Sequence, residues 1–270
     1  MAEVSNKAHK VTAIIPARFG STRLPGKALI DIGGKPMLLH VIERASAARL
    51  VGQVIVATDD ERVVRVVSEA GFEARLTSAA HRSGTDRIAE IAIDLDADVI
   101  VNVQADEPMI HPETIDDLVR ALLDDRDLEM TTIAEPLERP ADAIDPGVVK
   151  VVVDRNGFAL YFSRSPIPWP RDEVARLGTI ESALMSRSRA SSLYLKHTGL
   201  YAYRRPFLLQ LARLDRTPLE EAESLEQLRA LEHGYRIKVV RVSTTSIGVD
   251  TPEDLERVRK LIDKDVVSRG

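Results

Sequence analysis

Short runs of β-branched residues alternate with amphipathic stretches through the first half of this 270-residue chain. The runs at residues 11–15, 54–57 and 99–103 are long enough for buried strands. Apolar residues between and after these runs recur at helical spacing, in stretches that begin at Leu38, Val63, Ile88 and Ile115. Strands that alternate with helices predict βαβ units, hence an α/β fold with a mostly parallel sheet flanked by helices. In such sheets functional residues gather at the carboxyl ends of the strands.

The pattern changes after about residue 145, where the spacing indicates antiparallel structure. Apolar runs at residues 148–153 and 158–162 flank the dipeptide Asn156-Gly157, which is typical of a hairpin turn. Residues 171–195 have charges and few periodic apolar positions, which predicts a long surface excursion. The remaining predicted elements are strands at residues 200–203 and 236–242 and helices at residues 222–233 and 252–264.

Composition narrows the classes of function. The chain has 37 Lys and Arg against 42 Asp and Glu, a formal net charge of −5, which argues against a strongly basic nucleic-acid-binding protein. It has no cysteine, so disulfide frameworks, thiolate metal sites and cysteine nucleophiles are excluded. There is no N-terminal apolar signal and no continuous apolar segment of about 18 residues, so we expect no membrane span and a cytoplasmic location.

The loop after the first strand, residues 16–27, is the most informative segment. It contains two glycines and three cations, and no acidic residue occurs between residues 11 and 30. Glycines let backbone N–H groups converge on an anion, while Arg and Lys supply charge. Five residues separate its glycines and Ala28 follows Lys27, so it is not a Walker A loop, and no dinucleotide-binding fingerprint is present. The loop predicts a polyphosphate site, with a solvated basic turn as the alternative.

Two distant carboxylates could complement this loop. Asp106 follows a predicted strand, and Asp250 directly precedes the predicted C-terminal helix. Thr251 and Pro252 explain the start of that helix without Asp250, which leaves its carboxylate free. A nucleoside triphosphate normally arrives with Mg²⁺, and Mg²⁺ prefers oxygen ligands. Each aspartate alone is equally compatible with a simple turn.

Taken together, these segments resemble the 3-deoxy-manno-octulosonate cytidylyltransferase family, the CMP-Kdo synthetases. The resemblance runs in order through residues 14–18, 21–27, 34–37, 57–60, 83–87, 101–104, 106–108, 161–164, 225–229 and 248–255. It covers nearly the whole chain. It implies a GT-A-like nucleotidyltransferase fold with an inserted antiparallel region, usually dimeric. It also implies a Mg²⁺-dependent reaction of CTP with Kdo that gives CMP-Kdo and pyrophosphate for lipopolysaccharide synthesis.

The resemblance also implies roles for individual residues. The triphosphate would be contacted catalytically by Arg18 and Lys27, with Ser21 and Arg23 as weaker candidates in the same loop. The base and ribose would lie nearest Ser83 and Arg87. The metal ligands would be Asp106 and Asp250.

A further set would bind the sugar. Arg164 could hold the Kdo carboxylate, because a planar guanidinium can donate two parallel hydrogen bonds to a carboxylate. The alternative is that Arg164 is a surface residue without this role. The remaining candidates are Gln104, His197, Tyr201, Glu226 and Gln227. Spacing alone favours a core histidine at position 197, and the helical wheel of residues 222–233 places Gln227 opposite the buried stripe, towards solvent.

We expect residues 1–270 to form one nucleotidyltransferase domain. Residues from about 10 to 145 would form its nucleotide-binding half and residues from about 146 to 245 its sugar-binding and dimerisation elements. Residues 246–270 would form the metal-ligand turn and the last helix. The chain departs from the family pattern at Ala105, where the family usually has glycine, and in a longer segment between Trp169 and His197. The alternatives are a cytidylyltransferase for another acidic sugar, a non-catalytic nucleotide-binding relative, or a glycosyltransferase.

Overall fold

The computed structural model describes residues 9–20, 24, 26–81, 83–137, 139–186, 193–243 and 246–269, with residues 263–269 as backbone only. The strands of these residues are Val11–Ala17 (β1), Asp31–Ile32 (β2), Lys35–Pro36 (β3), Gln53–Thr58 (β4), Glu73–Leu76 (β5), Val99–Asn102 (β6), Met130–Pro136 (β7), Lys150–Val153 (β8), Ala159–Ser163 (β9), Leu195–Arg204 (β10) and Ile237–Arg241 (β11).

The helices of the same residues begin with a short 3-10 helix at Lys27–Leu29. The α-helices are Met37–Ser46 (α1), Glu61–Glu69 (α2), Gly84–Ala92 (α3), Pro112–Asp124 (α4), Pro140–Ile144 (α5), Arg171–Leu177 (α6), Ile180–Met185 (α7), Arg205–Leu211 (α8), Pro218–Glu223 (α9), Gln227–Glu232 (α10) and Pro252–Arg269 (α11). None of the described helices is long and apolar enough to cross a membrane.

The main sheet confirms the predicted α/β architecture. Its strand order is β11-β7-β10-β6-β1-β4-β5, and β1 pairs in parallel with both β4 and β6. Strand β10 is antiparallel to β6 and β7 and also pairs with the hairpin of β8 and β9. The carboxyl ends of β1 and β6 therefore lie side by side, and the antiparallel insertion joins the sheet next to them.

Helices cover both faces of this sheet. Ala13 and Ile15 of β1 face a core shared with α1, α2 and α4, whereas Ile14 between them faces a core shared with α3 and α8. Alternation with period two sends successive strand residues to opposite faces, so a continuous apolar run is needed for a strand buried on both sides. This explains why the first strand could be predicted from the sequence.

The C-terminal helix packs on a separate small core. Leu255, Val258 and Ile262 of α11 cluster with Ile32 of β2 and with Met37. The helix therefore docks beside the loop that follows β1, although it is the last element of the chain. The residues that precede the helix are brought to the carboxyl ends of β1 and β6.

Some elements differ from the predictions. The helix predicted over residues 222–233 is two helices, α9 and α10, because Ser224 between them has the left-handed values φ 52° and ψ 50°. Strands β5 and β7 were not predicted. The excursion over residues 171–195 contains α6 and α7, and residues 187–192 lie outside the described residues.

Candidate active site

Lys27 lies between the two aspartates that the sequence singled out. Its Nζ is 2.6 Å from Oδ2 of Asp106 and 3.0 Å from Oδ1 of Asp250. Burial lowers the pKa of the Lys27 ammonium, but the charge and hydrogen bonds of the two carboxylates outweigh it, so the pKa is raised from its ordinary value. Lys27 is thus a firmly protonated cation, and it pairs with Asp250, a residue 223 positions away in the sequence.

Backbone contacts hold the two aspartates together. The N–H of Val249 donates to the carbonyl of Asp106 at 2.9 Å. Asp254, in the first turn of α11, accepts from the backbone N–H groups of Asp250 and Thr251 at 3.2 and 2.9 Å. The carboxylate of Asp254 is used for capping. That of Asp250 is not, as the sequence predicted.

Glu107 is a residue of this region whose role the sequence analysis missed. Its carboxylate accepts a short hydrogen bond from the hydroxyl of Ser246. A Cβ atom at Gly248 would lie 2.9 Å from Oε1 of Glu107, so any larger residue there would displace the Glu107 carboxylate. Burial, followed by repulsion from Asp106, raises the pKa of Glu107 to about 7. The adjacent Asp106 and the motif around Gly248 were the available signals.

Two cavities meet at this cluster. The smaller, of about 470 Å³, is lined by Pro16, Arg18, Gly20, Lys27, Ala28, Met37, Gly84, Arg87, Gln104, Ala105, Asp106 and Asp250. The larger, of about 800 Å³, contains every residue predicted to bind the sugar, namely Gln104, Arg164, His197, Tyr201, Glu226 and Gln227. Asp106, Asp250 and Gln104 line both cavities. Ligands in the two cavities could therefore approach each other at the two aspartates.

The predicted phosphate loop borders the smaller cavity. Arg18 is exposed, and its Nη2 donates to the carbonyl of His81 at 2.7 Å. The loop turns at Gly26, whose φ of 67° suits a residue without a Cβ, and Lys27 follows at once. Ser21 and Arg23, the weaker candidates, lie outside the described residues.

Ser83 and Arg87 have structural partners. The Ser83 hydroxyl caps α3 by accepting from the N–H of Asp86 at 3.0 Å. Arg87 is fully buried and pairs with Oδ2 of Asp59 at 3.0 Å, while Oδ1 of Asp59 accepts from the N–H of Phe19 at 3.3 Å. Arg87 thus supports the phosphate loop through Asp59. It also lines the smaller cavity, and its Nε has no hydrogen-bond partner among the described residues.

His197 and Tyr201 do share one face of β10, as predicted. Their ring centroids are 5.4 Å apart, although the strand is irregular between Thr198 and Tyr201. Nε2 of His197 lies 3.0 Å from Oγ1 of Thr132, which in turn lies 2.8 Å from the carbonyl of Leu200. The carbonyl can only accept, so the Thr132 hydroxyl donates to it and accepts from Nε2–H, which leaves Nδ1 as an acceptor. Burial lowers the pKa of His197 to about 3, so the ring is neutral.

Gln227 is buried, which corrects the expectation that it faces solvent. Only 4% of the residue is exposed, and its Nε2 has no hydrogen-bond partner among the described residues. The break at Ser224 changes the helix direction, so the single helical wheel did not apply. Its neighbour Glu226 accepts from the hydroxyl of Thr85 at 2.6 Å. Thr85, another residue that the sequence analysis did not select, thereby links α3 to the larger cavity.

Gln104 and Arg164 both line the larger cavity. Gln104 Nε2 donates to the carbonyl of Gly199 at 3.0 Å, close to where β10 is irregular. The Arg164 guanidinium donates to the carbonyls of Glu223 and Pro146 at 2.8 and 2.9 Å. Its described side-chain hydrogen bonds all go to backbone oxygens, so its charge is available to an anion.

Comparison with known proteins agrees with this geometry. A family model described as cytidylyltransferase matches residues 12–238. A 3-deoxy-manno-octulosonate cytidylyltransferase of Geotalea uraniireducens is 54% identical over 255 residues, covering 94% of this chain and 100% of the relative. One of Geobacter metallireducens is 55% identical over 249 residues, covering 92% and 96%.

Solved structures give the same result. A CMP:2-keto-3-deoxy-manno-octonic acid synthetase in complex with CTP superposes with a TM-score of 0.85 at 45% identity, covering 95% of this chain and 99% of that one. A 4-diphosphocytidyl-2C-methyl-D-erythritol synthase from Anaerococcus prevotii, with TM-score 0.61 at 14% identity, covers 95% and 97% and shares the nucleotidyltransferase fold. This chain therefore belongs to the cytidylyltransferase family and, within it, to the 3-deoxy-manno-octulosonate cytidylyltransferases.

Proposed function

We propose that this chain transfers CMP from CTP to the anomeric hydroxyl of Kdo and releases pyrophosphate. The observation that carries the proposal is the meeting of two cavities at Asp106 and Asp250. A triphosphate along the phosphate loop and a sugar in the larger cavity would bring the α-phosphorus and the hydroxyl to the same place. The relatives named for this activity, and the similar synthetase solved with CTP, support this choice of substrates.

In this reaction the hydroxyl oxygen forms a bond to the α-phosphorus and gives up its proton to solvent, and the bond from that phosphorus to the bridging oxygen of pyrophosphate breaks. Positioning and neutralisation of charge provide most of the catalysis in such transfers. Lys27, held at the junction of the cavities, would neutralise charge on the α-phosphoryl group. Arg18, exposed at the mouth of the smaller cavity, would contact the departing pyrophosphate.

We propose that Asp106 and Asp250 hold Mg²⁺. Both carboxylates already converge on one cation, the Lys27 ammonium, and carboxylate oxygens are the donors that Mg²⁺ prefers. A bound Mg²⁺ would lower the pKa of the sugar hydroxyl and offset phosphate charge. Lys27 would then be released from the carboxylates and could turn to the triphosphate.

Ala105 is compatible with this assignment. Among the described residues other than glycine, only Ser224 has a positive φ, so Ala105 occupies backbone conformations open to alanine. Its methyl group packs against the core that includes β1 and β6. Alanine at this position therefore imposes no backbone strain beside Asp106, which weakens the alternative of a non-catalytic relative.

For the sugar, we propose that Arg164 binds the carboxylate and that neutral His197 accepts a hydroxyl at Nδ1. Gln104, Tyr201, Glu226 and Gln227 would contact the other hydroxyls. A buried amide without a hydrogen-bond partner, such as the Nε2 group of Gln227, lowers the stability of the fold unless a ligand forms the missing hydrogen bond. A comparison of kcat/KM for Kdo and other acidic sugars tests this assignment, because pocket hydroxyl contacts discriminate strongly.

We also propose a cytoplasmic homodimer formed through the inserted region. Leu160, Trp169, Met185 and Leu193 are 63, 58, 70 and 56% exposed; Leu160 lies in β9, and the other three lie between β9 and β10. Exposed apolar residues concentrated in one region favour a protein interface. Light scattering after size exclusion should give twice the chain mass of 29.8 kDa, and Leu160→Lys should shift it towards the monomer.

A further inference from the structure

Arg164, which the proposed function assigns to the sugar carboxylate, is fixed by backbone carbonyls. Nε donates to the carbonyl of Glu223 at 2.8 Å, Nη1 to that of Pro146 at 2.9 Å and Nη2 to that of Ser224 at 3.5 Å. A guanidinium has five N–H donors. Within the described residues, each terminal nitrogen therefore keeps one N–H for a ligand. A carboxylate that binds a guanidinium through both of its oxygens needs two such donors.

These carbonyls are available because a short helix ends beside Arg164. Helix α9 has six residues and stops where Ser224 takes left-handed values of φ and ψ. The last carbonyls of a helix have no partner within the helix, and a cation near them is favoured. Arg164 supplies both the donors and the charge.

The side chain of Glu223, the last residue of α9, accepts a hydrogen bond from the main chain of the same arginine. Oε2 accepts from the N–H of Arg164 at 2.9 Å, and Oε1 accepts from the hydroxyl of Ser163 at 2.6 Å. The Glu223 carboxylate is thus bonded to the end of β9, and the described hydrogen bonds of the Arg164 guanidinium do not include it. The guanidinium keeps its positive charge for a ligand.

The other side of Arg164 is fixed as well. The fully buried ammonium of Lys150 donates to the carbonyls of Arg164, Val148 and Asp145 at 2.6, 2.6 and 2.8 Å. Its pKa is lowered by burial, and three carbonyl acceptors compensate part of that cost. Arg164 is therefore held at its N–H, its C=O and its side chain.

We infer that Glu223 is a positioning residue that presents the Arg164 guanidinium to the carboxylate of an acidic sugar. This inference rests on the proposed function, in which Arg164 is the carboxylate ligand. It predicts a defect confined to sugar binding, because Glu223 acts through Arg164 and is not among the residues that line the smaller cavity. Glu226 and Gln227 follow the same helix break. The contact between Glu223 and Arg164 would therefore also fix their positions relative to Arg164.

The test compares steady-state pyrophosphate release by the wild type, E223A, E223Q, R164A and E223A/R164A, with Kdo and CTP varied separately. The matched control is E221A, an exposed residue of the same helix. We expect E223A to raise the KM for Kdo by about tenfold or more, the size of one lost charge-assisted hydrogen bond, with the KM for CTP within about twofold. E223Q keeps an oxygen for the Arg164 N–H and should stay within about threefold of the wild type.

The double variant decides the mechanism. If Glu223 acts through Arg164, E223A/R164A should be no worse for Kdo than R164A alone. The inference would be overturned by fully additive losses in the double variant, by equal increases in the KM values for Kdo and CTP, or by a normal KM for Kdo in E223A. In each of these cases, Kdo-dependent activity of the wild type would still support the proposed function. A wild type that releases no pyrophosphate with Kdo would overturn both. If E223A does not fold, the shortened carboxylate of E223D replaces it, with the same expected confinement to Kdo.

Discussion

Nζ of Lys27 lies 2.6 Å from Oδ2 of Asp106, so the cation of the phosphate loop occupies the position where the carboxylates would bind a metal. The second aspartate, Asp250, approaches the same ammonium to 3.0 Å. If the two carboxylates hold Mg²⁺, as we propose, the metal would replace the Lys27 ammonium between them, an exchange of one cation for another.

Replacement of Lys27 by methionine should have opposite effects on turnover and on metal binding. We expect Kdo-dependent pyrophosphate release to fall by about 10²-fold or more, since a charge aimed at the transition state is lost. Binding of Mn²⁺ without nucleotide, followed by electron paramagnetic resonance, should become tighter because no ammonium competes. Lys35→Met is the control, since Lys35 pairs with Glu43 on the surface. Weaker Mn²⁺ binding in the Lys27 variant would contradict the exchange.

The Thr85–Glu226 contact predicts a sugar-specific defect. Thr85→Val removes the hydroxyl that donates to Glu226 at 2.6 Å, while Thr85→Ser retains it. The valine variant should have a KM for Kdo higher by roughly three- to tenfold, because a carboxylate loses one hydrogen bond and shifts. The serine variant should match the wild type. Equal defects in both variants would show that the methyl group, and not the hydroxyl, matters.

Ala105 should tolerate replacement by glycine, the residue that the resemblance led us to expect there. Because its φ is not positive, Ala105→Gly relieves no strain, and we expect kcat/KM for both substrates within about threefold of the wild type. The free energy of unfolding should fall by about 0.5–1 kcal/mol, since glycine gives the unfolded chain more conformational freedom. Urea denaturation measures this loss. A large gain in activity would mean that the methyl group hinders the metal.

The buried His197 should make the fold sensitive to acid. Its pKa is about 3 in the folded chain against about 6.5 when unfolded, so protons bind the unfolded state preferentially. This contribution to stability is intact above pH 6.5 and is lost progressively as the pH falls towards 3. It amounts to about 2 kcal/mol between pH 8 and pH 5. Urea midpoints at both pH values should therefore differ more in the wild type than in His197→Asn, and equal differences would contradict the prediction.

The sequence predicted the central parallel strands β1, β4 and β6 because each contains a continuous apolar run, whereas β5, which does not, was missed. Strand β7 was missed because it carries Thr131, Thr132 and Glu135, yet all are buried. These polar groups depend on partners far along the chain: Glu135 pairs with Lys196 at 2.8 Å, and Thr132 contacts His197. Partners on another strand are invisible to local periodicity.

Some features of the site could likewise be predicted from the sequence, and others could not. The spacing around Asp250 was enough to separate it from the capping residues Thr251 and Asp254. The burial of Gln227 was not predictable, since it depends on the left-handed Ser224, a conformation that serine seldom adopts. Supporting groups such as Glu107 act through contacts that only the folded chain creates.

The most direct test of the central claim is pyrophosphate release from CTP as a function of Mg²⁺ concentration, with and without Kdo, in the wild type and in Asp106→Asn. We predict release that requires both Kdo and Mg²⁺ in the wild type. The variant should need much more Mg²⁺, or be inactive, because one of two carboxylate ligands is lost. Kdo-dependent release that persists without a divalent metal, or is unchanged in Asp106→Asn, would contradict the assignment of the two aspartates.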